Sequence, residues 1–154
     1  MDQYDSAFPN GALRTEARGA RLEAVIQLQD WTSALDLLDG MTSFPEPVGA
    51  DLLLTRAELR ARAERCSEAL ADFSWLLEGR VGSPVLSDAA RERALYGSAI
   101  CFGHLRQDDR ARAALTAYQR RFPGGRFASD VERLLRGEPS SSGGIPGGRP
   151  VAQP

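Results

Sequence analysis

Side chains able to do chemistry near neutral pH are scarce: the 154 residues hold one histidine, His104, and two cysteines, Cys66 and Cys101. Any general base or imidazole ligand must therefore be His104 alone. Three soft ligands are too few for a structural zinc site. The two cysteines stand 35 residues apart, at helical positions that usually pack, where a thiol behaves as a small hydrophobe. Asp108 and Asp109 are neighbours, but they open a helix, whose dipole favours acidic side chains there. Ser98 sits in Gly97-Ser98-Ala99, within a helical pattern and outside the Gly-x-Ser-x-Gly elbow that exposes a nucleophile. Gly143-Gly144 and Gly147-Gly148 have no strand before and no helix after them, so they make no phosphate-binding loop. All 19 basic residues are arginine, which excludes lysine chemistry. The chain reads as non-enzymatic, with no cofactor and no metal; a catalytic reading would stand on His104 alone.

The elements that must carry these residues follow from composition and periodicity. With 42% hydrophobic and 26% charged residues, the chain suits one soluble domain with a core of its own. A formal charge of −2 gives no push toward nucleic acid or an anionic membrane. No apolar run is long enough to cross a bilayer, and Met1-Asp2-Gln3-Tyr4-Asp5 has no signal-peptide character. The expected location is the cytoplasm, although an envelope protein trimmed of its leader would read the same way. Residues 1–11 read as a flexible N-terminus, residues 12–136 as a helical domain, and residues 137–154, rich in Gly, Pro and Ser, as a disordered tail.

Within the helical region one stripe recurs. Trp31, Ala34, Leu35, Leu38 and Met41 have the spacing of a buried helix face. Cys66, Ala69, Leu70, Phe73 and Leu76 repeat it, and Ala111, Ala114, Leu115, Tyr118 and Phe122 form a third copy. Each follows another helical segment: about Leu13 to Leu28, Ala50 to Ala63, and Asp88 to Leu105. The middle one is the least regular, because Arg60 and Arg62 intrude and Leu59 falls off its stripe. In the third, Leu95, Ala99, Phe102 and Leu105 share a face, and Ser87 or Asp88 caps the start. The small residues Ala34, Ala69 and Ala111 are spaced by 35 and 42. The extra length fits an insertion at Gly79 to Pro84, while Pro45, Pro47 and Pro123 fall just beyond helix ends.

On these residues the chain resembles the tetratricopeptide repeat (TPR) family over residues 12 to 123, in a degenerate, bacterial-type form. Leu95, Ala99, Phe102, Ala111, Leu115, Tyr118 and Pro123 match the family pattern, with Tyr118 standing where a small residue is usual. The resemblance implies an all-α fold: a short α-solenoid of about three antiparallel helical hairpins. A C-terminal helix carrying Phe127, Val131, Leu134 and Leu135 would cap it. It also implies a concave groove for a partner segment, lined by Glu16, Glu23 and Gln27, then Asp51, Leu54, Glu58 and Arg62, then Arg93, Tyr96, Ile100 and His104.

The groove so defined is acidic at its first end and basic, aromatic and apolar at its last. Residues 1–51 hold nine acids and three arginines, and residues 105–154 hold five acids and nine arginines. The expected function is a non-enzymatic adaptor or scaffold that binds a segment of another protein, with Tyr96 as anchor. Arg62 and Arg93 would meet partner carboxylates, and Glu23 and Glu58 would meet basic residues. Two alternatives are a cytosolic secretion-type chaperone and a self-associating scaffold in which acidic and basic ends join head to tail.

Overall fold

The computed structural model describes residues 13–41, 49–78 and 86–138, and for residues 13–16 the backbone alone. The fold is all-α: the described residues form seven helices and no strand. None of these helices is long and apolar enough to cross a membrane. The chain forms two compact units, Met1–Thr42 and Ser43–Pro154.

The first unit contains α1 (Leu13–Gln27) and α2 (Trp31–Asp39), which pack on each other. The repeated stripe buries Ala34, Leu35 and Leu38 on α2, and Leu22 is buried on α1. Asp30 starts α2 by accepting from the Ser33 backbone N–H at 3.1 Å and the Ser33 hydroxyl at 2.6 Å, which satisfies an orphan donor of the first turn. Those bonds favour the ionised carboxyl and lower its pKa.

The second unit contains α3 (Gly49–Arg62), α4 (Cys66–Leu77), α5 (Asp88–His104), α6 (Asp108–Arg121) and α7 (Ala128–Leu135). Each helix packs on the next, and α3 also touches α5. One apolar cluster joins α3, α4 and α5 through Leu53, Leu54, Ala57, Cys66, Phe73, Leu76, Ala94 and Cys101. A second joins α5, α6 and α7 through Tyr96, Ala99, Leu115, Tyr118, Phe127 and Val131. Ile100 touches both. Helices α4 and α5 cross closely because position 97 has no side chain: a Cβ on Gly97 would come within 2.6 Å of the Phe73 ring. Small residues permit such an approach, and large ones at adjacent turns fill the grooves.

The arginines that interrupt the α3 pattern have a structural use. Arg56 donates to Asp72 through Nε (3.0 Å) and Nη2 (2.7 Å), and Arg60 donates to the same carboxylate at 2.8 Å. Asp72 is buried on α4, so two guanidinium groups fasten α3 to α4 across the apolar seam. Leu59, off the expected stripe, is buried as well. Ser87, and not Asp88, caps α5, its hydroxyl accepting from Ala90 N–H at 3.1 Å.

Three connections share one backbone geometry. Gln29, Glu64 and Arg106 have φ of 56°, 61° and 57°, the left-handed region in which glycine is favoured. In each case the following residue donates five positions back: Asp30 to Val25, Arg65 to Arg60 and Gln107 to Phe102, at 2.9, 2.8 and 2.9 Å. The left-handed residue itself donates three back, to Ile26, Ala61 and Gly103. This is the Schellman arrangement, which satisfies the last carbonyls of a helix and turns the chain sharply. The end of α7 uses it too, there with a glycine, Gly137 at φ 80°. The breaker-rich segment Gly79 to Pro84, Pro45, Pro47, residues 1–11 and the tail from residue 139 onward lie outside the described residues.

Candidate functional site

The residues expected to line a groove fall on α1, α3 and α5. On α1, Glu23 and Gln27 are exposed, while the side chain of Glu16 lies outside the described residues. On α3, Asp51 is exposed and Arg62 half-buried; on α5, Arg93 and Ile100 are half-buried and His104 is exposed.

Three expectations are corrected. Leu54 is fully buried in the cluster between α3, α4 and α5. Tyr96, the expected anchor, is 1% exposed. Its ring stacks on Phe127 at 4.4 Å between centroids, with 12° between planes, and lies edge-on to Tyr118 at 6.4 Å. Its hydroxyl donates to Asp130 at 3.2 Å. A buried aromatic ring packed against two others and bonded at its polar tip is part of the core and has no face left for a partner.

Glu58 is also reassigned. It is 3% exposed, and its carboxylate receives a two-pronged grip from Arg93, Nε to Oε1 at 2.8 Å and Nη2 to Oε2 at 2.5 Å. Burial pushes the Glu58 pKa up; the Arg93 hydrogen bonds and charge oppose that, as does the positive field of Arg62 and Arg126. Glu58 is thus neutralised from within and does not present its charge to a basic ligand. Arg93 of α5 is the arginine that grips this buried carboxylate, and Arg62 of α3 and Arg126, in the connection before α7, add positive charge near it. The side chain of Arg93 remains 35% exposed, and both of its bonds to Glu58 use Nε and Nη2, which leaves Nη1 directed elsewhere.

Behind this surface a polar network holds the connection between α6 and α7. Glu92 accepts from the Tyr118 hydroxyl and from Arg126 N–H, both at 2.5 Å, and the Tyr118 oxygen accepts from Phe127 N–H at 2.8 Å. Burial first, and the Glu92 carboxylate second, keep the Tyr118 phenol protonated well above its ordinary range. Gly125 is required here, because a Cβ would lie 2.1 Å from Glu92 Oε1. The Arg126 guanidinium lies over the Phe127 ring at 5.6 Å.

Sequence reasoning missed the Glu58–Arg93 pair, although a signal existed. Repeat-equivalent positions on α3 and α5 are 42 apart, as the turns at Glu64 and Arg106 are, so Arg93 lies two helical turns before the equivalent of Glu58; the signal was a glutamate and an arginine both assigned to the inner face of helices that touch. It also missed an open hollow of about 300 Å³ lined by Ser67, Leu70, Ala71 and Ser74 of α4 with Phe102, Leu105, Gln107 and Arg110. No group of three or more His, Cys, Asp or Glu side chains is placed to hold a metal ion among the described residues. No family model, curated protein or solved structure matches the chain.

Proposed function

We propose that the chain is a non-enzymatic interaction module, a TPR-like stack of three helical hairpins with α7 as its cap, that binds an acidic segment of another protein. The observation that carries the binding reading is the Arg93 guanidinium, partly exposed and gripped from below by the buried Glu58 carboxylate at 2.8 and 2.5 Å, with the positive charge of Arg62 and Arg126 acting on the same place. Glu58 holds Arg93 in a fixed orientation, so less side-chain freedom is lost when a partner carboxylate reaches its remaining edge. The repeat reading is supported by the three left-handed turns, whose spacings of 35 and 42 equal those of Ala34, Ala69 and Ala111.

The test is a titration of isotope-labelled protein with an Asp/Glu-rich peptide and with its Lys/Arg counterpart, followed by amide chemical shifts. The acidic peptide is expected to move the amides around Arg62, Arg93 and Arg126, and the Arg62→Glu/Arg126→Glu variant to lose the response. Equal responses to both peptides, or shifts confined to other helices, would overturn the reading.

A second reading is favoured by the charge distribution: the acidic segment is the first third of another copy. Residues 1–51 are net −6 and residues 105–154 net +4, and a head-to-tail contact between them would be weakened by salt. Light scattering at low and high ionic strength tests this. A mass that rises with concentration at low salt only would support it, and a monomer under all conditions would rule it out.

A further inference from the structure

The chain's only histidine and both of its cysteines meet at one place. Cys66 opens α4, and Cys101 and His104 lie three residues apart at the end of α5. The Cys66 sulfur is 3.9 Å from His104 Nδ1, and Cys66 and Cys101 are buried in the same apolar cluster where α4 packs on α5. Both cysteines are free thiols, 3% and 0% exposed, while His104 is at the surface. The histidine therefore connects solvent to a buried thiol pair that bridges two helices 35 residues apart in sequence.

We propose that Cys66 and Cys101 are an oxidisable dithiol, in which Cys66 transfers its proton to His104, reacts with hydrogen peroxide, and is resolved by Cys101 to a disulfide joining α4 to α5. The Cys66 sulfur attacks one peroxide oxygen as the O–O bond breaks. Cys66 becomes a sulfenic acid, and the departing hydroxide takes the proton from His104 and leaves as water. The Cys101 sulfur then attacks the Cys66 sulfur and the S–O bond breaks. The second hydroxide takes the Cys101 proton and leaves as a second water. Two thiols have lost two electrons and two protons, and one peroxide has become two waters.

The burial of the pair suits an oxidant of this size and excludes larger disulfides. Burial first, then the bond and charge of Cys66, raise the Cys101 pKa, which keeps Cys101 a thiol until its neighbour is oxidised. Cys66 is the sulfur that stands beside the imidazole, a base within reach of its thiol.

The test is native wild-type protein treated with hydrogen peroxide, followed by intact mass and by alkylation after denaturation. The expected product is lighter by about 2 Da, has lost both alkylatable thiols, remains a monomer, and is restored by a dithiol reductant. The Cys101→Ser variant should stop at the sulfenic acid, heavier by about 16 Da and trapped at Cys66 by a dimedone probe. His104→Ala should slow formation of the disulfide several-fold and flatten its pH profile. Two results would overturn the proposal: both thiols surviving doses that oxidise a free cysteine peptide, or oxygen adducts or crosslinked dimers in place of the internal disulfide. An unchanged rate in His104→Ala would remove the proton transfer.

Discussion

Tyr96 and Glu58 both sit on α5-facing or α5-borne positions that look available in sequence, and both turn out to be satisfied inside the molecule. Tyr96 stacks on Phe127 and meets Tyr118, so Tyr96→Ala would open a cavity in the smaller of the two clusters. A loss of about 3–5 kcal/mol is expected for deleting a buried ring, read as a lower urea midpoint; a variant as stable as the wild type would mean that the ring is not core. Glu58 gives a pH signature. Its folded pKa is raised above its ordinary 4.5, so the folded state holds this proton more tightly than the unfolded chain does. The contribution of the group is complete below the ordinary value and is lost as pH rises through the raised one. Urea titrations of wild type and Glu58→Gln should therefore converge in the wild type's favour as pH falls from 7 toward 4.5, and parallel curves would contradict the assignment.

At the scale of the elements, the three left-handed turns are the most uniform feature, and none of them uses glycine. Holding Gln29, Glu64 and Arg106 in that region costs about 1–2 kcal/mol each, which the two flanking hydrogen bonds and the packing of the helices must offset. Arg106→Gly should stabilise the second unit by about 1 kcal/mol, seen as a higher melting temperature. The reverse logic applies at Gly97, where a methyl group would strike Phe73. Gly97→Ala should destabilise by about 1–3 kcal/mol through overpacking, and Phe73→Leu should recover part of the loss.

Helix α5 also explains what the sequence could and could not reveal. The pairing of α1 with α2, α3 with α4 and α5 with α6, and the span of α7, were legible to within a residue or two, because the stripes on α2, α4 and α6 each bury one face. Helix α5 instead contacts α3, α4 and α6. It buries Ala90, Ala94 and Cys101 toward one cluster and Tyr96 and Ala99 toward the other. With apolar residues on most of its circumference, a single-stripe rule selects Leu95, Ala99, Phe102 and Leu105 and leaves Tyr96 apparently free. The candidate site is half legible for the same reason: the repeat pattern points to Arg62, Arg93 and His104. It does not point to Arg126, because that residue lies in a connection whose position depends on the Glu92 and Tyr118 bonds.

For the whole molecule, a net charge of −2 hides an uneven distribution, acidic in the first third and basic in the last. Arg126 of the basic part adds its positive charge to that of Arg62 and Arg93 near Glu58. Acidic ligands should therefore bind with an affinity that falls with salt. The most direct measurement is fluorescence anisotropy of a labelled acidic peptide titrated with wild type and with Arg62→Glu/Arg126→Glu, each at low and physiological salt. Saturable binding that weakens with salt and disappears in the variant, with its circular dichroism unchanged, is the predicted result. Binding that the variant retains, or that a basic peptide shares, would contradict the assignment of this surface.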